Sequence, residues 1–234
     1  MSNLKCMRAG RPIIATWVTL VVAGSLLAFA VRGAGPLPGD LVLSRLIQQP
    51  PPGGLLGSSL VRASDVVWLL LPLAVLVALV GRRWLAAHFI LLASSTGILV
   101  GVAIKQLVAR PRPTADLVRV YDTPESYAFP STTAFFAAVF LGMIGYLIWQ
   151  AQPRRPDATA SGRRAIVTFG IMLLLLLSSG LSRVYVGAHW ATDILGGWLL
   201  GGAWLFVLIA LHRWWLSRGT KAGDPTRRRR RARR

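Results

Sequence analysis

Two residues in the last quarter of the chain, His189 and Asp193, have the types and spacing needed for nucleophilic catalysis. They are four positions apart, so on a helix their side chains lie on the same face. A carboxylate there can hold one imidazole N–H, fix the tautomer and increase the basicity of the other nitrogen, as attack on phosphorus requires. The alternative interpretation is an interfacial histidine beside an aspartate favoured at a helix N-terminus. The pair alone favours this alternative.

Cations and a hydroxyl group near the ends of apolar segments favour the catalytic interpretation. These residues are Lys105, Arg112, Ser131 and Arg183. Pro130 before Ser131 predicts a helix start, where free backbone N–H groups favour an anion. Guanidinium groups bind phosphate oxygens in a bidentate manner. Together these groups predict a phosphate site. Two further cations, Arg110 and Arg119, are interpreted as loop residues, with Arg110 close enough to Arg112 to assist it.

The composition excludes a soluble protein of this length. Of the 234 residues, 54% are hydrophobic and only 15% are charged, whereas soluble domains have about a quarter charged residues. The net charge of +19 could indicate nucleic-acid binding, but ten of the 27 Lys and Arg residues lie from Arg213 onward. The sequence therefore predicts a membrane protein whose basic tail binds anionic lipid headgroups, with no nucleic acid as partner.

Six apolar stretches approach the roughly 20 helical residues that cross a bilayer. They cover 12–31, 66–80, 84–109, 131–150, 166–181 and 190–211. The predicted fold is an all-α integral membrane six-helix bundle, with a short interfacial helix at 40–49 in the first outer loop. Residues 1–216 form this transmembrane domain, and 217–234 form a disordered basic tail. The first stretch also resembles a cleaved signal peptide, but its length favours a retained helix.

The distribution of Lys and Arg residues predicts the orientation in the membrane. If the N-terminus is cytoplasmic, 19 of the 27 fall on the cytoplasmic side, as the positive-inside rule requires. We therefore expect a multi-pass protein of the plasma membrane with both termini in the cytoplasm. The third and fifth segments then end, and the fourth and sixth begin, at the outer face. This arrangement brings the chemically capable residues together at one extracytoplasmic site.

The sequence resembles the type 2 phosphatidic acid phosphatase superfamily, whose signature has three blocks. The first block, K-x6-R-P, begins at Lys105, and the third, S-R-x5-H-x3-D, begins at Ser182; both match in full. The second block, P-S-G-H, begins at Pro130, but Thr132 and Thr133 replace its glycine and histidine. The resemblance covers about 105–193, and the family's six-helix fold agrees with the predicted segments.

The resemblance implies a phosphoric ester or anhydride hydrolase that acts on a lipid phosphate. His189 would be the nucleophile that forms a phosphohistidine, and Asp193 would orient it. The substrate phosphate would be bound by a set of polar side chains: Lys105, Arg112, Ser131, Thr132, Thr133 and Arg183. We expect no cofactor and no metal, because no His, Asp and Glu cluster on the outer face has ligand spacing.

The family's second histidine protonates the leaving group, and that position is Thr133 here. A threonine hydroxyl is a poor acid near neutral pH; the outer loop offers Asp116, Asp122, Glu125 and Tyr127 as replacements. Loss of the acid should cost about 10²–10⁴-fold for a phosphate monoester. The cost is smaller for a diphosphate, because the leaving phosphate has a second pKa of about 6. The predicted substrate is therefore a polyprenyl (undecaprenyl-type) diphosphate, cleaved to the monophosphate.

Two alternatives remain open at the level of sequence. One is a catalytically weak or inactive relative that binds lipid phosphates, because a motif residue is lost. The other is a lipid phosphotransferase that passes the group to an acceptor other than water. Retention of both His189 and Asp193 argues against decay. The oligomeric state is not predicted.

Overall fold

The computed structural model describes residues 2–122, 124–152 and 158–222, and all regular structure within these ranges is helical. The helices are α1 (Ser2–Ala30), α2 (Asp40–Ile47), α3 (Leu55–Val80), α4 (Trp84–Val108), α5 (Thr132–Gln150), α6 (Ala158–Tyr185) and α7 (Ala191–Ala222). Within the described residues, six helices are long and apolar enough to cross a membrane, and α2 is the short exception. The prediction of an all-α bundle with six spans is confirmed.

Some helices extend beyond the apolar stretches that predicted them. Helix α3 begins after Gly54 and ends before Gly81, so it includes polar turns that precede the stretch at 66–80. Helix α7 runs past the domain boundary expected at 216, and the Arg218 guanidinium lies 3.8 Å from the centre of the Trp214 ring. Hydropathy marks the apolar part of a helix, whereas capping residues determine where it ends. Of the tail predicted to be disordered, 223–234 lie outside the described residues.

Helix α5 occupies the centre of the bundle and contacts α3, α4, α6 and α7. Of the residues in the apolar span of α5, 50% are buried inside the protein. The fully buried side chains on this helix include Phe135, Phe136, Phe140 and Met143. Because α5 is held on several sides, its N-terminal residue Thr132 has a well-defined position relative to the neighbouring helices.

Glycines on α7 allow it to lie very close to α5. A Cβ atom on Gly197 would lie 2.9 Å from the carbonyl oxygen of Ser131, and one on Gly201 would lie 2.7 Å from that of Phe135. No side chain fits at such distances. The close approach lets the backbone N–H of Ser131 donate to the carbonyl oxygen of Asp193 at 3.0 Å. The N-termini of α5 and α7 are therefore adjacent.

Helix α2 has its polar face turned inward. Asp40, Ser44 and Gln48, spaced four apart in and just after the helix, are all buried. Val42 and Leu46 point outward, with 69% and 55% of their surface exposed. This polarity suits a helix with its apolar side against lipid. The inward face places Asp40 against α7.

Candidate active site

The residues predicted to do chemistry lie at one end of the bundle. Lys105 is in the last turn of α4, and Arg183 is in the last turn of α6. Ser131 precedes α5 as its N-cap, and Asp193 is in the first turn of α7. His189 lies in the connection between α6 and α7. Four helix ends thus bring together residues that are far apart in the sequence.

A tight turn after α6 positions His189. Gly187 has a φ of +74°, and a Cβ atom there would overlap the carbonyl oxygen of Arg119, so only glycine fits. After this turn, the backbone N–H groups of Ala188 and His189 both donate to the carbonyl oxygen of Arg183, at 3.1 and 3.2 Å. The imidazole is consequently held in the interior, with 3% of the residue exposed.

The two nitrogens of His189 face different partners. Nδ1 lies 3.7 Å from Oδ2 of Asp193, an ion-pair separation that is longer than a hydrogen bond. Nε2 lies 3.3 Å from Nη1 of Arg112. Because a guanidinium group can only donate, Nε2 accepts and the ring proton belongs on Nδ1, on the side of Asp193.

Burial keeps the His189 imidazole uncharged. Desolvation is the main cause that lowers the pKa of His189 to about 4, and the charges of Arg112 and Lys105 act in the same direction. Asp193 opposes them by favouring the imidazolium form. At neutral pH the ring is therefore neutral, and its Nε2 lone pair can act as a nucleophile.

Arg112 lies on the Nε2 side of the imidazole, and Lys105 is close enough for its charge to act on the ring. Arg112 donates to the carbonyl and hydroxyl oxygens of Ser126 and to the carbonyl oxygen of Ala188. Desolvation and the positive charge of Arg183 lower the pKa of Arg112. Lys105 is 3% exposed. Like charges held together in this way are stabilised by an anion, so the cluster suits a phosphate group.

The residues at the start of α5 contribute in different ways. Ser131 is fully buried, and its hydroxyl oxygen accepts from the backbone N–H of Ala134 at 3.4 Å as a helix cap. Thr132 and Thr133, both half-buried, form the first turn of the helix, where backbone N–H groups lack intrahelical acceptors. The methyl group of Thr132 lies against Gly101 of α4. Within the described residues, neither threonine hydroxyl hydrogen-bonds to the other predicted site residues.

Of the four outer-loop groups that could replace the missing acid, Asp122 contacts a site residue. Its Oδ2 atom lies 2.7 Å from Nη2 of Arg183, and the two side chains are 43% and 18% exposed. Asp116, Glu125 and Tyr127 are exposed. The Asp122 carboxylate is therefore paired with Arg183, one of the cations that were expected to bind the phosphate.

Arg110 lies in the loop after α4, as expected, but it is a buried, ion-paired residue and not a plain loop cation. Arg110 is fully buried, and Nη1 donates to Oδ1 of Asp193 at 2.6 Å while Nη2 donates to Oδ2 of Asp40 at 2.7 Å. Sequence reasoning placed Asp40 only in the interfacial helix. The buried position of Asp40 could have been predicted from the four-residue spacing of Asp40, Ser44 and Gln48, which marks a polar helix face in an otherwise apolar segment.

The sequence is similar to that of known membrane phosphatases. The model of the PAP2 superfamily matches residues 84–217. Phosphatidylglycerophosphatase B of Bacillus subtilis (strain 168) is 31% identical over 144 residues, which cover 60% of this chain and 66% of the relative. Undecaprenyl-diphosphatase of Sulfolobus acidocaldarius is 29% identical over 124 residues, which cover 41% of this chain and 60% of the relative. The chain thus spans just under two thirds of the length of these relatives.

Two solved structures share the fold. The PAP2-type phosphatidylglycerolphosphate phosphatase from Bacillus subtilis superimposes with a TM-score of 0.70 at 22% identity, covering 85% of this chain and 96% of that chain. LpxE from Aquifex aeolicus gives a TM-score of 0.55 at 20% identity, covering 73% and 94%. Six apolar helices and this fold identify a multi-pass membrane protein. Because the family match extends over more than half of the sequence, the chain belongs to the PAP2 superfamily.

Proposed function

We propose that this protein is a membrane lipid phosphatase that hydrolyses a polyprenyl (undecaprenyl-type) diphosphate to the monophosphate through a phosphohistidine. The observation that carries the proposal is the setting of His189. Its Nε2 atom lies 3.3 Å from Arg112 on the cationic side, and its Nδ1 atom faces the Asp193 carboxylate. This is the arrangement that a histidine nucleophile for phosphorus needs.

The reaction follows from these positions. Arg112, Lys105 and Arg183 bind the oxygens of the terminal phosphoryl group and stabilise the charge that develops on them. Nε2 of His189 forms a bond to phosphorus as the bond to the bridging oxygen breaks, and the polyprenyl monophosphate leaves with that electron pair. Water then attacks the phosphohistidine, releasing inorganic phosphate and returning the imidazole. Asp193 stabilises the positive ring during both steps.

The residue at the acid position favours a diphosphate substrate. Thr133 occupies the position at which the PAP2 superfamily has its second histidine, the general acid. A threonine hydroxyl group does not donate a proton efficiently near neutral pH. A monophosphate leaving group needs less protonation than an alkoxide, because its second pKa is about 6. The two sequence relatives are named for different substrates, a phosphatidylglycerophosphate and an undecaprenyl diphosphate. The chemistry at Thr133 favours the second.

The site is proposed to face outward from the plasma membrane. The cytoplasmic side then carries both termini and most of the basic residues, as the positive-inside rule requires. The basic C-terminal segment would contact anionic lipid headgroups on that side.

The threonine at the acid position, Thr133, also supports a second candidate function: a family member that binds lipid phosphates without hydrolysing them. Loss of the acid at Thr133 and occupation of Arg183 by Asp122 both favour it. A phosphotransferase would form the same intermediate but pass the phosphoryl group to an added acceptor.

Phosphate release by the purified full-length protein tests the proposal. Wild type, His189→Ala and the matched control His88→Ala are compared without added metal, on a polyprenyl diphosphate and on a phosphatidate. His88 is at the start of α4, at the opposite end of the bundle, and its Nδ1 contacts the carbonyl oxygen of Trp84 in its own helix. We expect release from the diphosphate by wild type and by the control, and none by His189→Ala. A clear preference for phosphatidate would defeat the substrate assignment.

A further inference from the structure

Both terminal nitrogens of the Arg110 guanidinium are directed at protein groups, and its Nε atom is buried. Nη1 donates to Asp193 and to the hydroxyl oxygen of Thr192, at 2.6 and 2.8 Å, and Nη2 donates to Asp40 and to the carbonyl oxygen of Gly35, at 2.7 and 2.9 Å. The residue has 0% exposure. Arg110 therefore does not bind the substrate, although it lies two positions before Arg112 in the same motif block.

Arg110 fixes the orientation of the Asp193 carboxylate. Oδ1 accepts from Arg110, and Oδ2 accepts from the backbone N–H of Trp190 at 2.8 Å. Oδ2 is also the atom that faces Nδ1 of His189. With both oxygens held, the carboxylate cannot rotate away from the imidazole. Without Arg110, the buried Asp193 carboxylate would lose its counter-ion and one of the two groups that fix its orientation towards Nδ1 of His189.

Asp40 holds Arg110 in turn and ties it to the start of α7. Oδ2 of Asp40 accepts from Arg110, from the Thr192 hydroxyl at 2.7 Å and from the backbone N–H of Leu37 at 3.0 Å. Oδ1 accepts from the backbone N–H of Thr192 at 2.9 Å. Asp40 lies outside residues 84–217, which the family model matches. The N-terminal part of this chain thus supplies a group to the site.

We propose that Arg110 and Asp40 are positioning residues for the nucleophile: Arg110 orients the carboxylate that faces His189, and Asp40 orients Arg110. The proposal rests on the proposed function of His189. Because neither residue contacts the substrate, their loss lowers the rate of phosphoryl transfer to His189 and leaves substrate binding unchanged.

The test measures phosphohistidine formation in a single turnover, with a polyprenyl diphosphate labelled in its terminal phosphate. The variants are Arg110→Gln, Arg110→Lys and Asp40→Asn. Arg110→Lys keeps the buried charge but loses the fork that bridges two carboxylates, so it provides a result even if Arg110→Gln does not fold. The matched controls are Arg119→Gln and Asp65→Asn, both exposed. Thermal unfolding of each variant confirms that it is folded.

We expect Arg110→Gln to slow phosphorylation about 100-fold, the effect of misplacing a reacting group by roughly 1 Å. Arg110→Lys and Asp40→Asn should slow it less, and the controls should match wild type. KM should change by less than about twofold in every folded variant. A rate close to that of wild type in Arg110→Lys and Asp40→Asn, or a rise in KM beyond that limit, would overturn the proposal.

A second readout does not depend on turnover. The chain contains three histidines, so ¹⁵N resonances of His189 can be assigned by difference from His189→Ala. We expect the Nδ1-protonated tautomer in wild type and in Arg119→Gln, and a mixture of tautomers in Arg110→Lys. If wild type does not form phosphohistidine but the tautomer depends on Arg110, the proposed function fails and the positioning role stands. An unchanged tautomer in Arg110→Lys rejects the positioning role alone.

Discussion

Nη1 of Arg112 lies 3.3 Å from Nε2 of His189, so a phosphate-binding guanidinium directly faces the nitrogen that would attack phosphorus. A phosphoryl group bound by Arg112 would place its phosphorus within reach of that nitrogen. The Asp193 carboxylate lies on the opposite side of the imidazole. The ring is thus placed between an anion-binding side and a carboxylate.

The first prediction concerns the titration of His189. Burial lowers the pKa of His189 to about 4. A lowered pKa of a base means that the neutral, nucleophilic form persists as the pH falls and is lost only near pH 4. We expect the ¹⁵N shifts of His189 to titrate with a midpoint near this value. A midpoint near the ordinary histidine value of about 6.5 would contradict the buried setting.

The second prediction concerns competition between Asp122 and the substrate. Because Oδ2 of Asp122 is 2.7 Å from Nη2 of Arg183, Asp122 competes with a phosphate for that guanidinium. Asp122→Asn should lower KM on the order of two- to fivefold, as expected for a partly exposed ion pair, with kcat unchanged. Asp116→Asn, in the same loop, is the control. A higher KM in Asp122→Asn would mean that Asp122 assists binding.

The third prediction concerns the contact between α5 and α7. A Cβ atom on Gly197 would lie 2.8 to 3.0 Å from atoms of Ser131, Ala134 and Phe135, so Gly197→Ala must push the two helices apart. We expect a loss of stability of about 1–3 kcal/mol, typical of overpacking, measured by thermal unfolding in detergent. Gly170 has open space around it. Gly170→Ala should therefore leave the unfolding temperature equal or higher.

The fourth prediction concerns the acid position. Thr133→His restores the histidine of the second motif block and with it a general acid that can protonate an alkoxide. Hydrolysis of a phosphatidate should increase on the order of 10²-fold or more, with a much smaller change for a diphosphate. Rates on both substrates provide the comparison. An equal increase on both would mean that Thr133 does not determine the substrate preference.

Hydropathy and local spacing account for most of what could be predicted from the sequence. The six spans follow from apolar stretches, and His189 and Asp193 follow from spacing within one motif block. The contact between Arg110 and Asp40 could not be predicted in this way, because it joins residues 70 positions apart through tertiary packing. The extension of α7 beyond the apolar stretch at 190–211 could not be predicted from hydropathy, because polar residues can continue a helix.

The most direct test of the central claim is chemical trapping of the intermediate. The full-length protein is mixed with a polyprenyl diphosphate labelled in its terminal phosphate, quenched in base, and digested for mapping of the label. We expect an acid-labile, base-stable phosphoryl group on His189, absent from His189→Ala and present in His88→Ala. Phosphate release by wild type without label on His189, or label on another residue, would contradict the account.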